Sequence, residues 1–248
     1  MSKQRKVVIN FRASPNFDER VGRNKPNMLI FHYTGMETGE AALNKLLDPS
    51  SKVSAHYLVF EDGKIIQLVE DKKRAWHSGV STWKGKGDIN SSSIGIEIVN
   101  RGHEFGYCEF PKEQVDAVLK LSKVIIKKYK IPPNKILGHS DIAPLRKTDP
   151  GELFPWESFA KADVGIWPRY IKPLFKENIN EDSPSNHIFD LQKKLVNFGF
   201  EKGDQGVYCP LTRANVTAFQ RHWNPLKISG IADAETQNKL DALLIMHD

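Results

Sequence analysis

The segment Gly138-His139-Ser140-Asp141-Ile142-Ala143-Pro144-Leu145-Arg146-Lys147-Thr148-Asp149-Pro150-Gly151 brings one imidazole, two carboxylates and two cations into a single stretch punctuated by prolines and glycines. Such punctuation forces irregular backbone, and irregular loops held on a rigid scaffold are where reactive groups are displayed. His139 follows the apolar pair Ile136-Leu137, which reads as a short strand, so the imidazole stands at a strand end. A histidine and a carboxylate held together suit Zn²⁺, which in a catalytic site takes three protein ligands and leaves a fourth position for water. Spacing alone does not choose between Asp141 and Asp149 as the carboxylate. The third ligand must come from elsewhere, and His32, near the end of the apolar run Met28 to Tyr33, is the candidate. The bland alternative is a solvated loop with an ordinary hydrogen-bonded histidine.

Glu97 is the second informative residue. It interrupts the run Ile94-Gly95-Ile96-Glu97-Ile98-Val99, and an unpaired carboxylate buried in such a run is costly. It therefore faces solvent or a polar cleft. Pointed at a water on zinc it is a natural general base, and Lys147 is a cation suited to a developing oxyanion. That set describes hydrolysis of an amide or ester. Trp76 and His77, in a Gly/Ser loop, and Asn90, in the Gly/Ser/Asn-rich stretch 85–93, are read as lining a substrate cleft, with Trp76 as local core the alternative. His56 is read as structural. His103, His187, His222 and His247 have no supporting context, and no role is assigned to them.

The elements that must position these groups are mixed. Met28 to Tyr33 and Ile94 to Val99 read as buried central strands. Ser54 to Phe60 and Ile65 to Val69 read as a hairpin turning at Glu61-Asp62-Gly63-Lys64. Ala41 to Leu47 reads as a short helix. Pro111 to Tyr129 carries Val115, Val118, Leu119, Leu121, Ile125 and Ile126 at helical spacing and stops at Pro132-Pro133. Residues 7–26 read as a polar lead-in with a loop at 14–20. The expected fold is α/β (α+β), a mixed central sheet flanked by helices. Beyond a polar linker around Asp182-Ser183-Pro184-Ser185 come Ile188, Leu191, Leu195 and Phe198, closed by Gly199. A second helix with Thr212 as its cap carries Val216, Phe219 and Trp223, and a third carries Leu240, Leu243 and Leu244. The expected organisation is a domain over 1–170, a linker over 171–185 and a small three-helix domain over 186–248.

Composition narrows the classes. The 248 residues are 40% hydrophobic and 27% charged, which argues against wholesale disorder. No apolar run approaches the ~20 residues that span a bilayer. The basic start Met1 to Lys6 precedes too few apolar residues for an export signal, and no lipid-attachment cysteine is present, which predicts a cytoplasmic chain, the alternative being periplasmic or secreted. Cys108 and Cys209 read as two reduced thiols. The net charge of +6 admits an anionic partner, but Lys123, Lys127, Lys128 and Lys130 read as one solvated helix face. With no accompanying motif, nucleic acid is excluded as a partner, whereas an acidic polymer such as bacterial wall fits.

Five blocks carry a resemblance: His32-Tyr33-Thr34-Gly35-Met36, Val53-Ser54-Ala55-His56-Tyr57, Ala75-Trp76-His77-Ser78-Gly79, Ser93-Ile94-Gly95-Ile96-Glu97 and Gly138-His139-Ser140-Asp141-Ile142-Ala143. In this order they resemble the signature blocks of the zinc-dependent N-acetylmuramoyl-L-alanine amidases, relatives of the peptidoglycan recognition proteins. The resemblance implies one Zn²⁺ held by His32, His139 and Asp149, with Glu97 as catalytic acid/base and Lys147 as transition-state cation. It implies cleavage of the amide between N-acetylmuramic acid, or its anhydro form, and L-alanine of the stem peptide, in wall turnover or recycling. A non-catalytic peptidoglycan-binding protein is the alternative. Asp190-Leu191-Gln192, Gly206-Val207-Tyr208, Ala218-Phe219-Gln220-Arg221 and Gly230-Ile231 are similar to the small three-helix peptidoglycan-binding domain. Leu145 departs from the small residue that many relatives carry in that loop.

Overall fold

In a computed structural model the chain is described over residues 8–169, 174 and 176–246. The basic start, part of the expected 171–185 linker, and His247 lie outside the described residues. The strands are β1 (Ile9–Phe11), β2 (Phe17–Glu19), β3 (Met28–Tyr33), β4 (Tyr57–Val59), β5 (Ile65–Gln67), β6 (Lys73–Ala75), β7 (Ser93–Ile98) and β8 (Ile136–Gly138). The helices are α1 (Gly39–Leu47), α2 (Ile89–Ser92), α3 (Gly102–Phe105), α4 (Lys112–Tyr129), α5 (His139–Ile142), α6 (Trp156–Lys161), α7 (Ser185–Phe198), α8 (Pro210–Trp223) and α9 (Ala234–Ile245). Six strands form one sheet in the order β1-β5-β4-β7-β3-β8, and β2 pairs with β6 in a second, two-stranded one.

By compactness the chain divides into two units, residues 1–79 with 90–136, and residues 80–89 with 137–248. In the first, β3 and β7 run parallel, as expected of continuous apolar runs covered on both faces, and Leu29, Ile30, Phe31, Ile94 and Ile96 are buried. The expected hairpin is present as antiparallel β4 and β5. Thr38 caps α1 by accepting from Ala41 N at 3.1 Å, and its buried Leu43 and Leu46 pack with Leu58, Phe60, Ile66, Leu68 and Val99. On α4 the predicted period buries Val118, Leu121 and Ile125. Gln114 donates from Nε2 to Val59 O and Val99 O at 3.1 and 2.9 Å, tying the helix to the strand ends.

The lead-in is more ordered than its composition predicts. β1 pairs with β5, and β2 with β6 in the register Asp18↔Arg74 and Glu19↔Lys73. Cross-strand ion pairs join both couples, and hydropathy patterns do not register a ribbon stabilised by opposite charges.

The second unit contains the three-helix core: Ile188, Leu191, Leu195 and Phe198 of α7, Val216, Phe219 and Trp223 of α8, Leu240 and Leu243 of α9. Thr212 is not the cap of its helix. α8 starts earlier, at Pro210, with Cys209 at the cap position, because proline's missing N–H costs nothing in the first turn. The polar stretch read as linker is docked at its far end, where Ile179 and Ala232 exchange backbone hydrogen bonds at 3.0 Å and Glu181 pairs with Arg213. Two buried glutamines organise the loops. Gln192 donates to Asp204 O and Val207 O and accepts from Gly206 N, while Gln220 donates to Ile231 O and accepts from Ser229 N and Gly230 N. Gly199 ends α7 at φ 150°, and a Cβ there would lie 2.4 Å from the Trp83 ring, which packs edge-on against Phe198 and Phe200. Both cysteines are free thiols, as expected. Among the described residues no helix is long and apolar enough to cross a membrane.

A buried polar network in the first unit gives the fold a pH dependence. Asp71 accepts from Tyr57 Oη at 2.5 Å, Lys128 Nζ at 2.8 Å and Tyr129 Oη at 2.9 Å. Burial alone would raise its pKa, but hydrogen bonds from Lys128, Tyr57 and Tyr129 outweigh burial and bring it below the ordinary value. His56 accepts from Gly95 N at Nδ1 (3.0 Å) and donates from Nε2 to Lys73 O (3.1 Å), so the neutral ring bridges two segments. Burial, then the neighbouring Arg20 guanidinium, pushes its pKa down from 6.5 to about 3. The unfolded chain therefore binds a proton that the folded chain refuses. Stability falls as the pH drops from the ordinary histidine pKa toward the folded one, at ~1.4 kcal/mol per pH unit. Urea unfolding between about pH 7 and pH 4 is expected to show a slope shallower by about this amount in His56→Gln than in the parent.

Candidate active site

The site is built from one register fact. In the parallel pairing of β3 with β7, His32 stands opposite Glu97 and Ile30 opposite Gly95. Residues opposite one another in a sheet project to the same face, as do residues two apart along a strand. His32, Glu97 and the Gly95 position therefore share a face. Gly95 is required there, since a Cβ would lie 2.5 Å from His77 Cγ, so the His77 ring occupies the space above it. His32 Nε2 is 2.9 Å from His77 Nδ1, and Ser93 Oγ is 3.0 Å from His77 Nε2. This chain of contacts fixes the ring orientation of His32.

The loop carrying His77 is held from behind. Asn90 is buried, and its Oδ1 accepts from His77 N, Ser78 N and Ser78 Oγ at 3.0, 2.8 and 2.9 Å. The expected cleft residue thus braces the loop with its carbonyl. Trp76 is half-buried beside it.

In the second unit, β8 ends at Gly138 and α5 starts on His139, as the strand-end reading predicts. His139 Nδ1 lies 3.1 Å from Asp149 Oδ2, and Ser140 N donates to Asp149 O at 2.9 Å. The two carboxylates that spacing left equivalent are separated by their partners. Asp141 turns away, accepting at Oδ2 from Gly138 N and from His222 Nδ1, each at 2.7 Å. Lys147 is half-buried, in the turn where its N–H donates to Ala143 O at 3.0 Å. Leu145 is exposed.

His32, His139 and Asp149 are all buried, at 1%, 4% and 6% exposure. Among the described residues they form a group able to hold a metal ion, each offering one ligand atom, with these atoms all within 4.8 Å of one another. Two imidazoles and a carboxylate are a borderline donor set, and an ionised carboxylate buried this deeply calls for a compensating cation. Sequence reasoning missed two features. His103, exposed, stacks on Tyr107 at 4.4 Å and contacts Tyr33 Oη at 3.0 Å. His222 is buried on α8. Neither has a local signal, because each partner is remote or aromatic.

Residues 22–152 match the family model described as N-acetylmuramoyl-L-alanine amidase, and residues 185–240 match a peptidoglycan binding domain model. The chain is 37% identical over 231 residues to N-acetylmuramoyl-L-alanine amidase AmiD of Escherichia coli K12, covering 88% of this chain and 82% of that protein. The solved complex of AmiD from E. coli with the substrate anhydro-N-acetylmuramic acid-L-Ala-D-gamma-Glu-L-Lys superposes with a TM-score of 0.76 at 32% identity, covering 94% and 98% of the two chains. AmpDh3 of Pseudomonas aeruginosa, in complex with an anhydromuramic pentapeptide, gives a TM-score of 0.75 at 27% identity, covering 100% and 98%. The chain belongs to the N-acetylmuramoyl-L-alanine amidase family. It is a hydrolase of that class, and it carries a peptidoglycan-binding domain.

Gly95→Ala is expected to destabilise the protein by about 1–3 kcal/mol, since the strand backbone cannot retreat from the His77 ring. Amidase activity should fall with it, because His32 loses its contact with a displaced His77. Thermal melts beside a muropeptide hydrolysis assay check both.

Proposed function

We propose that this amidase is a zinc enzyme in which His32, His139 and Asp149 hold the ion, Glu97 moves protons and Lys147 faces the reacting carbonyl. The observation that carries the reading is the buried three-ligand group with Glu97 in register beside His32. When bound, zinc supplies Lewis acidity that polarises the carbonyl and brings the pKa of water toward ~7. The half-buried Glu97 carboxylate accepts the proton of the attacking water and returns it to the departing nitrogen of L-alanine. Water is thereby added across the lactyl-alanine amide, leaving a carboxylate on the sugar and a free amine on the peptide. The Lys147 ammonium offsets the negative charge that builds on the carbonyl oxygen. His77 steers His32 and, with Trp76, lines the cleft; Asn90 holds their loop in position.

The substrate is a muropeptide, intact or anhydro, which the complexes of two relatives with anhydromuropeptides support. Residues 1–170 form the catalytic domain and 186–248 the wall-binding domain, joined through 171–185, a division supported by the extents of the two family matches.

A chelator is expected to abolish release of stem peptide from purified muropeptides, and added Zn²⁺ to restore it. Glu97→Ala should retain the metal and lose at least ~10²-fold in kcat, the usual scale for a general base. A Glu97→Ala enzyme turning over at the parental rate would remove Glu97 from the chemistry. Lys147→Ala should lower kcat by ~10²–10³-fold with KM little changed, measured under saturating substrate.

A further inference from the structure

Directly beneath the His139 loop lies a buried polar contact that the proposed chemistry does not use. Asp141 is 1% exposed, and its Oδ2 accepts two hydrogen bonds of 2.7 Å, one from the backbone N–H of Gly138 and one from His222 Nδ1. The two residues are 81 positions apart: Asp141 sits on the short helix that starts at His139, and His222 sits on α8 of the three-helix domain. The imidazole is itself 1% exposed and stacks against Trp156 at 3.5 Å and Trp223 at 3.6 Å between ring centroids. Trp156 in turn packs against Gly138, where a Cβ would lie 3.3 Å from the indole and 2.8 Å from Pro150. Gly138, Asp141, Pro150, Trp156 and His222 therefore form one closely packed knot behind His139 and Asp149, and all of them belong to the same compact unit.

The chemistry of this knot is directional. A carboxylate with both oxygens buried is stable only if donors reach it, and one backbone N–H is not enough. His222 supplies the second donor, charge-assisted and from a ring that two indoles keep from turning. Burial lowers the pKa of His222, with Asp141 opposing the shift. A neutral ring with its proton on Nδ1 gives Oδ2 its second donor, while the buried Oδ1 has no hydrogen-bond partner among the described residues. Without that donor, the cheapest relief for Asp141 is to turn, which loosens its hold on Gly138 N, the residue next to His139.

We propose that His222 is a positioning residue of the active site: through Asp141 and Gly138 it fixes the backbone that presents His139, so the helical domain helps build the metal site as well as holding the wall. The inference rests on His139 being a ligand. Contacts of this kind behind a metal ligand are worth ~10–100-fold in metal affinity or activity.

The test uses the full chain with His222→Phe, which keeps a flat ring between the indoles but has no donor, and His222→Asn, whose side-chain amide can donate where Nδ1 does. His222→Phe is expected to release Zn²⁺ to a competing chelator with ~10–100-fold weaker affinity and to lose kcat to a similar extent, with KM within about twofold. His222→Asn should recover most of both losses. Asp141→Asn should show the same loss as His222→Phe, and combining the two should add little, since both remove one interaction. Parental metal affinity in His222→Phe would overturn the proposal, as would equal impairment of the Phe and Asn variants, which would make the contact packing alone. If His222→Phe does not fold, Asp141→Asn decides: parental zinc affinity in that variant overturns the positioning role. His139→Ala serves as the control. Loss of zinc there beside a silent His222→Phe sinks only this inference, whereas zinc retained in His139→Ala removes the ligand assignment and this inference with it.

Discussion

Burying a carboxylate away from water is among the most costly things a fold can do, and this chain does it repeatedly. Each instance is compensated differently, and the differences sort structure from chemistry. Asp71 is met by an ammonium and two phenols, a fully satisfied arrangement that pins α4 to the segment after β5. Asp141 is met by a backbone N–H and a buried imidazole, a contact that braces a loop. Asp149 is met by His139, with His32 close by, a group whose donors are all suited to a cation. The first two carboxylates hold the protein together. The third belongs to the group able to hold a metal ion.

The same logic explains the glycines that matter. Gly95 and Gly138 are places where an aromatic or imidazole ring lies against the backbone at the distance a Cβ would occupy. In both cases the ring belongs to the machinery around the site, His77 over Gly95 and Trp156 over Gly138. A bare backbone at these points lets the rings press on β7, which carries Glu97, and on the end of β8, next to His139. Ring orientation is thereby fixed before any ligand arrives, which is the condition for catalysis by preorganised groups.

The helical domain also changes character in this light. Its two buried glutamines, each satisfying one loop with both amide ends, make it an ordered three-helix body despite a small core. Trp83 fills the space above Gly199, and His222 reaches Asp141, so the elements that compactness groups with these helices include the segment bearing two of the three ligand candidates.

The sequence alone determined the long apolar strands, the helices with a clear 3.6-residue period, and the order of the family blocks. These depend on local pattern and on residue types whose chemistry is unusual wherever they occur. His32, Glu97 and His139 were legible as candidates for that reason, and Asp149 only through the family resemblance. The charged ribbon of β2 and β6, the start of α8 at Pro210, and the bracing of Asn90 were not, because their stabilising contacts come from distant positions or from charge rather than hydropathy. Asp141 and Asp149 are alike in sequence, and only their partners tell them apart. His222 is an isolated histidine until α8 brings it to Asp141. What tertiary structure decided was partnership, since a hydrogen bond between residues 81 positions apart leaves no mark on the spacing of either.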